Sequence, residues 1–130
     1  MEKADILIVK GATFWATHGY YQEENKLGQK FIVDVEVNVD MKKQCETDEL
    51  DRGYSYVTIY NIIKKVIVRE QHKLLQRIAQ RIADEVIKSY PVNQVKVTVK
   101  KPHVAIGGIV DYTAVQVVRE PKTKDTEGNK

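Results

Sequence analysis

Apolar and polar residues alternate strictly from Lys30 to Asp40. A period of two is typical of a half-buried β-strand, because successive side chains of a strand point to opposite faces. Three more strands are predicted. Asp5–Val9 is a short apolar run, with "ATFW" as a candidate continuation, and Val95–Val99 and Tyr112–Arg119 alternate again. In the longest strand, one side carries Phe31, Val33, Val35, Val37 and Val39, and the other carries Ile32, Asp34, Glu36, Asn38 and Asp40.

Two helices are predicted between the second and third strands. From Tyr56 to Ile67 the apolar residues recur every three or four positions, which is the helical period, and Ser55 or a neighbour is a candidate cap. A second helix is predicted from about Lys73 to Tyr90, and Pro91 ends it because a proline disfavours helix in the residue before it. Its apolar stripe consists of Leu74, Leu75, Ile78, Ala79, Ile82, Ala83, Val86 and Ile87.

The predicted order is therefore ββααββ, an α+β fold. Two hairpins that flank a helix pair favour an antiparallel sheet with both helices on one face. The edges of such a sheet invite pairing with another copy of the chain, and symmetric closure into a ring would remove them. We expect one domain over residues 1–119 and a disordered tail over residues 120–130, where apolar periodicity is absent.

Composition excludes several classes of function. The formal net charge of +3, from 21 basic and 18 acidic residues, is too small to predict nucleic-acid binding. No apolar run approaches the roughly 20 residues that span a bilayer, so no membrane partner is expected. Cys45 is the single cysteine, so no disulfide framework exists. A protein of the reducing cytoplasm fits this composition.

The segment "HGYYQEENKLGQKF", from His18 to Phe31, is longer than a strand connection needs to be. Together with "TDEL", "YSYVTIYNIIKKV", "LLQRIAQRIADEV" and "VTVKKP", it resembles the dihydroneopterin aldolase family. The resemblance implies a tunnelling fold, whose subunits join their sheets into an oligomeric barrel. It implies rings of four that stack into octamers, with active sites between neighbouring subunits.

The resemblance also implies a reaction without a cofactor. The family cleaves 7,8-dihydroneopterin by a retro-aldol reaction into 6-hydroxymethyl-7,8-dihydropterin and glycolaldehyde, in the folate pathway. The substrate's own ring C=N bond accepts the electrons of the breaking C–C bond. The enzyme therefore supplies general acid–base catalysis and positioning, with neither a metal nor a Schiff base.

Three residues match the family's catalytic positions. Glu24 matches the loop carboxylate that holds the side-chain hydroxyls and an ordered water. Lys101, before Pro102, matches the lysine that polarises the water protonating the ring nitrogen. Tyr56 matches the tyrosine that relays a proton to or from the intermediate, across a subunit interface.

The sequence departs from the family where the pterin ring is anchored. The family has Leu-Leu-Glu or Leu-Ile-Glu on the second helix, whereas this chain has Leu74, Leu75 and Gln76. The pterin edge presents two adjacent donors, which a carboxylate accepts and an amide satisfies only in part. Gly53 and Tyr54 also replace a threonine and an aliphatic residue, and Tyr54 is a candidate either for stacking on the ring or for covering the interface.

Four functions are compatible with the sequence, and one of them, a purely structural ring protein, leaves the matched catalytic residues unexplained. The first is the aldolase, with weaker pterin binding and with the epimerase activity that some relatives have. The second is a repurposed tunnelling-fold protein that binds another pterin- or purine-like ring through Gln76. The third, a zinc-dependent pterin synthase, is disfavoured because His18, His72 and His103 are scattered in the sequence. His18 itself is interpreted as structural.

Overall fold

The computed structural model describes residues 5–49, 55–104 and 106–122, with the backbone alone for residues 23–25. Four strands in these ranges form one antiparallel sheet, in which each strand pairs with the next along the chain. They are β1 (Asp5–Ala16), β2 (Gln29–Val39), β3 (Gln94–Lys101) and β4 (Thr113–Arg119).

Within the described ranges, four α-helices connect these strands. The short helices α1 (Gln22–Leu27) and α2 (Lys42–Thr47) follow β1 and β2. The longer helices α3 (Tyr56–Lys64) and α4 (Leu75–Ser89) separate the two hairpins, and a π-helical turn over Lys65–Arg69 extends α3. The predicted ββααββ order and the antiparallel sheet are therefore confirmed.

The apolar side of β2 forms the floor of the core. Phe31 and the four valines of this side are each no more than 1% exposed, as their alternation predicted. Helix α4 packs on β3 and β4, while α3 packs on β1, so both helices cover the same face. Burying one aliphatic side chain of this size contributes about 1.5–3 kcal/mol, which makes this face the main source of stability. The helices contribute Ile59, Ile62, Ile63, Ile78, Ala79, Ile82, Ala83 and Val86.

The opposite face of the sheet carries cross-strand ion pairs. Lys100 Nζ lies 3.3 Å from an Asp34 carboxylate oxygen, and Lys96 Nζ lies 3.8 Å from Glu36. Asp34 also accepts a 2.7 Å hydrogen bond from the backbone N–H of Gly11. Gly11 lies where the β1–β2 register shifts, and its φ of +76° is a conformation that favours glycine. This half-buried polar face therefore also fixes the bulge in β1.

Helix α3 begins at the predicted cap. The Ser55 hydroxyl accepts a 3.1 Å hydrogen bond from the backbone N–H of Val57, which satisfies one donor of the first turn. The phenol of Tyr90 donates to the Ser55 carbonyl at 2.5 Å, and burial raises the pKa of this phenol. The start of α3 is thereby tied to the end of α4.

Several boundaries differ from the predictions. Strand β1 runs through the candidate continuation to Ala16, whereas α4 begins at Leu75, two residues later than expected. Helices α1 and α2 were not predicted. Their six-residue sequences have no helical stripe, and α2 buries none of its residues, so no apolar periodicity could indicate them. Gly28, with φ of +76°, ends α1 and leads into β2.

Candidate active site

A cleft of about 540 Å³ opens where three segments of the chain meet. This volume lies in the range of roughly 300–1,000 Å³ that is typical of small-molecule sites. The segments are the part of the β1–β2 connection that precedes α1, the start of α4, and the β3–β4 turn with its flanking residues. The cleft is lined by Tyr20, Tyr21, Lys73, Leu74, Leu75, Gln76, Lys101, Val104, Ile106 and Thr113.

The ends of secondary-structure elements position the lining residues. Lys101 is the last residue of β3 and pairs in register with Thr113, the first residue of β4. Leu75 and Gln76 open α4, directly after Leu74, whose backbone is extended. The structure therefore brings together three of the predicted site residues, Leu75, Gln76 and Lys101, from segments that are distant in sequence.

The described cleft lining consists of aromatic and aliphatic residues with a few polar ones. The basic residues are Lys73 and Lys101, and none of the described side chains of the lining is a carboxylate. Tyr20 and Tyr21 form one part of the lining, which we call the tyrosine wall. Glu24 belongs to α1, which begins directly after Tyr21, so its backbone follows the tyrosine wall closely in sequence. Apolar walls with a few polar groups are the usual composition of a site for a flat heterocycle.

Tyr56 lies apart from this cleft. It is the first residue of α3, its side chain is 66% exposed, and it is not among the residues that line the cleft of its own chain. Gly53 and Tyr54, the other predicted substrate-binding residues, lie outside the described residues.

His18 occupies a closed environment beside the cleft. It is 2% exposed, and its Nε2 lies 2.6 Å from the carbonyl oxygen of Ile67. Its Nδ1 accepts a 3.0 Å hydrogen bond from the backbone N–H of His72. Because that N–H can only donate, the neutral ring carries its proton on Nε2. Burial is the main reason why the pKa of His18 is lowered, and the whole arrangement agrees with the structural role expected for it.

The histidines are less scattered in space than in sequence. The rings of His18 and His72 stack with centroids 5.8 Å apart, a proximity that their sequence positions do not indicate. Nevertheless, in the part of the chain that the structure describes, no group of three or more His, Cys, Asp or Glu side chains is arranged to hold a metal ion.

An ion-pair network lies behind the histidine pair. The guanidinium of Arg81 donates two hydrogen bonds to Glu70, at 2.8 and 3.2 Å, and a third to Glu85 at 3.1 Å. Glu70 also lies 2.8 Å from Nε2 of His72. The hydrogen bonds from Arg81 are the main reason why the pKa of each glutamate is lowered. The network anchors the segment that leads into α4.

Sequence reasoning missed part of the cleft lining. From the sequence, no role is assigned to Tyr20 and Tyr21 of the long connection, and Lys73 is predicted only as the start of a helix. The signal for the tyrosines was two large exposed aromatic residues in a loop. No local pattern indicates Lys73 or Thr113, because their meeting depends on how the elements pack.

Comparison with known proteins gives a consistent result. Residues 7–118 match the family model FolB, dihydroneopterin aldolase. The chain is 38% identical over 121 residues to dihydroneopterin aldolase 1 of Arabidopsis thaliana, and the alignment covers 92% of this chain and 83% of the plant protein. It is also 38% identical over 117 residues to the dihydroneopterin aldolase of Bacillus subtilis, and this alignment covers 89% of this chain and 98% of the bacterial protein.

A solved structure supports the fold. Escherichia coli dihydroneopterin aldolase, in complex with neopterin, matches with a TM-score of 0.81 at 22% identity, over 88% of this chain and 98% of that one. The sheet and its helix pair therefore have the tunnelling fold. The chain belongs to the dihydroneopterin aldolase family, and so to a family of lyases. Within the described residues, no helix is long and apolar enough to cross a bilayer.

Proposed function

We propose that this chain cleaves 7,8-dihydroneopterin into 6-hydroxymethyl-7,8-dihydropterin and glycolaldehyde, a step of folate biosynthesis. The observation that carries the proposal is the meeting of Lys101 with Leu75 and Gln76 in one cleft of suitable size. Family membership favours this reaction over a repurposed ring-binding protein.

The chemistry needs only proton transfers. A base removes the proton of the hydroxyl on the second side-chain carbon, the bond between the first and second side-chain carbons breaks, and glycolaldehyde leaves. The electron pair moves into the ring C=N bond, whose nitrogen takes a proton. Protonation of the first side-chain carbon, with return of the proton from the ring nitrogen to solvent, then restores the C=N bond and gives the hydroxymethyl group. Each step is general acid–base catalysis by a group held near the substrate.

Lys101 is the acid-side group in this scheme. Its ammonium polarises the water that protonates the ring nitrogen, and its charge stabilises the electron-rich intermediate. Glu24, on the short helix that follows the tyrosine wall, holds the side-chain hydroxyls. Tyr20 and Tyr21 offer aromatic surface beside the ring.

Tyr56 completes the scheme from a second copy of the chain. Its exposure on α3, away from the cleft of its own chain, supports this assignment. The outer edges of β1 and β4 have no strand partner among the described residues, and pairing between copies would close the sheets into a barrel. We propose a ring of four, alone or stacked as an octamer, acting in the cytoplasm.

Gln76 is proposed to weaken the pterin anchor. A carboxylate accepts both donors of the pterin edge with charge assistance, while an amide turns one of its NH₂ donors toward a substrate donor. The lost bond and the unpaired donor cost on the order of 1.5–3 kcal/mol. We therefore expect binding that is weaker by roughly tenfold to 150-fold than with glutamate at this position.

The test is turnover of dihydroneopterin by the wild type beside Gln76→Glu, with both products quantified. We expect cleavage by the wild type and tighter ring binding by the variant. Gln116→Glu is the matched control. It adds the same charge on β4, where Gln116 contacts Thr98 outside the cleft, and should leave binding unchanged.

The outcomes of this experiment test the proposed reaction and the proposed role of Gln76 separately. An inactive wild type, with no product after prolonged incubation, would refute the proposed reaction. An active wild type whose Gln76→Glu variant binds no better would refute the anchor alone. Tighter binding by the wild type of a ring with an N–H beside a C=O, such as xanthine, would show that the site prefers that edge.

A further inference from the structure

Two segments that lead into the cleft are joined to each other by hydrogen bonds. Beyond the two bonds of the His18 ring, the backbone N–H of Gly19 donates to the carbonyl of His72 at 3.0 Å. The side-chain amide of Gln71 donates to the carbonyl of Thr17 at 2.8 Å. Residues 17–19 are thus held against residues 67–72 by hydrogen bonds that do not belong to the sheet.

Both segments continue directly into the cleft. Tyr20 and Tyr21 follow Gly19, and the residues from Lys73 to Gln76 follow His72. The distance between the tyrosine wall and the first turn of α4 is therefore set by the joint immediately behind them. A shift at this joint changes the width of the space in which a ring must fit.

The His18 ring is the buried part of this joint. It packs edge-on against Phe31, with ring centroids 5.3 Å apart, and stacks on His72. An imidazole offers one acceptor and one donor on opposite sides of a flat ring, which is what the His72 N–H and the Ile67 carbonyl require. A phenyl ring would fill the space and satisfy neither group.

We propose that His18 is a positioning residue that sets the spacing between the tyrosine wall and the start of α4. We call the ring and its bonds to Ile67 and His72 the histidine clasp. The clasp acts through the cleft residues and does not touch the substrate. Its effect on catalysis rests on the proposed aldolase function, while its effect on the joint does not.

Protonation should open the clasp. A second ring proton would sit on Nδ1 and face the His72 N–H, so that a donor meets a donor. The charged groups around the ring come from two elements. Glu70 and His72 lie on the turn after the π-helical segment, and Arg81 on α4 is bound to Glu70. From β2, the ring meets Phe31, which carries no charge, and the Gln29 amide, 3.4 Å from the His18 carbonyl.

The experiment compares His18→Asn with His18→Phe. The asparagine oxygen can take the place of Nδ1 as acceptor, although the side chain leaves a void, whereas phenylalanine keeps the volume and loses both bonds. His103→Asn is the control, because His103 is exposed and belongs neither to the clasp nor to the cleft lining. The readouts are hydrogen exchange at the Gly19 and His72 amides, neopterin binding, and kcat and KM.

We expect His18→Phe to lose amide protection at both positions and to lose about tenfold to a hundredfold in kcat/KM. His18→Asn should keep protection at His72 and lose less than about threefold. Nitrogen NMR of the wild type should show the Nε2-protonated ring, titrating below pH 6.5. His103→Asn should match the wild type in exchange.

Retention of both amide protection and kcat/KM by His18→Phe would overturn the proposal, because the ring would then act only by filling space. Loss of protection with unchanged binding and kinetics would also overturn it. If the wild type shows no cleavage at all, the proposed function fails, and amide exchange with neopterin binding still decides whether the clasp sets the cleft.

Discussion

The helix-covered face of the sheet and the cleft at its end share the same strands but are enclosed differently. On the covered face, Val97 and Val99 of β3 are fully buried under helices of the same chain. Two residues after Val99, at the end of the same strand, Lys101 lines an open cleft. The exposed fractions of Tyr20, Tyr21, Leu74 and Ile106 around it range from 50% to 66%.

Residues of the same strand therefore serve different purposes: the buried valines stabilise the fold, and the residue at the cleft serves the proposed function. A buried valine contributes by removing apolar surface from water, so residues of similar volume can replace it. A cleft residue contributes by the donor, acceptor or charge that it presents, so shape alone cannot replace it. Substitutions in the two regions should therefore change different measurements.

The largest effect is expected at Lys101. Replacing it with alanine should lower kcat by about 10²–10⁴-fold, the usual contribution of a positioned acid or base, and should weaken ring binding much less. Lys100→Ala is the matched control, since Lys100 precedes it on β3 and pairs with Asp34 on the polar face. Steady-state kinetics with a binding titration makes the comparison. Equal losses of kcat and affinity would contradict the assigned role.

A smaller effect, on stability alone, is expected in the core. Val66 is fully buried and Val68 is 54% exposed in the same π-helical turn. Val66→Ala should lower the free energy of unfolding by about 2–3 kcal/mol, whereas Val68→Ala should change it by less than about 0.5 kcal/mol. Denaturant unfolding measures both. Similar losses would mean that the covered face does not dominate stability.

The smallest effect is that of pH on the free energy of unfolding, and it is expected in two separate pH ranges. Burial lowers the pKa of His18 in the folded chain, so the unfolded chain takes up a proton at this histidine at a higher pH than the folded chain does. The free energy of unfolding is therefore undiminished above pH 6.5 and falls as the pH drops through the folded-state pKa. Glu70 and Glu85 contribute to the free energy of unfolding above pH 4.5. This contribution is lost as the pH falls through their lowered pKa values.

Urea unfolding at about pH 8, 5.5 and 3.5 would resolve these ranges. His18→Phe should remove the decline in the upper range and leave the lower one. A decline of the same size in this variant would show that another group is responsible.

Elements with a strong apolar period could be predicted from the sequence, as could the Ser55 cap. Strand β2 and helix α4 each place most of their apolar residues on one face, and burial of that face enforces the conformation. Helices α1 and α2 lack such a face, so only the packed structure reveals them. The π-helical turn after Lys64 was also not visible, because a widened turn keeps nearly the same apolar spacing.

Patterns along the chain predict the order of strands and helices and the buried face of the sheet, and the family resemblance predicts the candidate residues Lys101 and Gln76. Hydrophobic periodicity and short motifs are local properties, so they can be read along the chain. Tertiary structure decided that the end of β3, the start of α4 and the paired tyrosines share one cleft. It also decided that His18 and His72, 54 positions apart, stack behind that cleft. Such contacts depend on how the elements pack, which no local pattern in the sequence specifies.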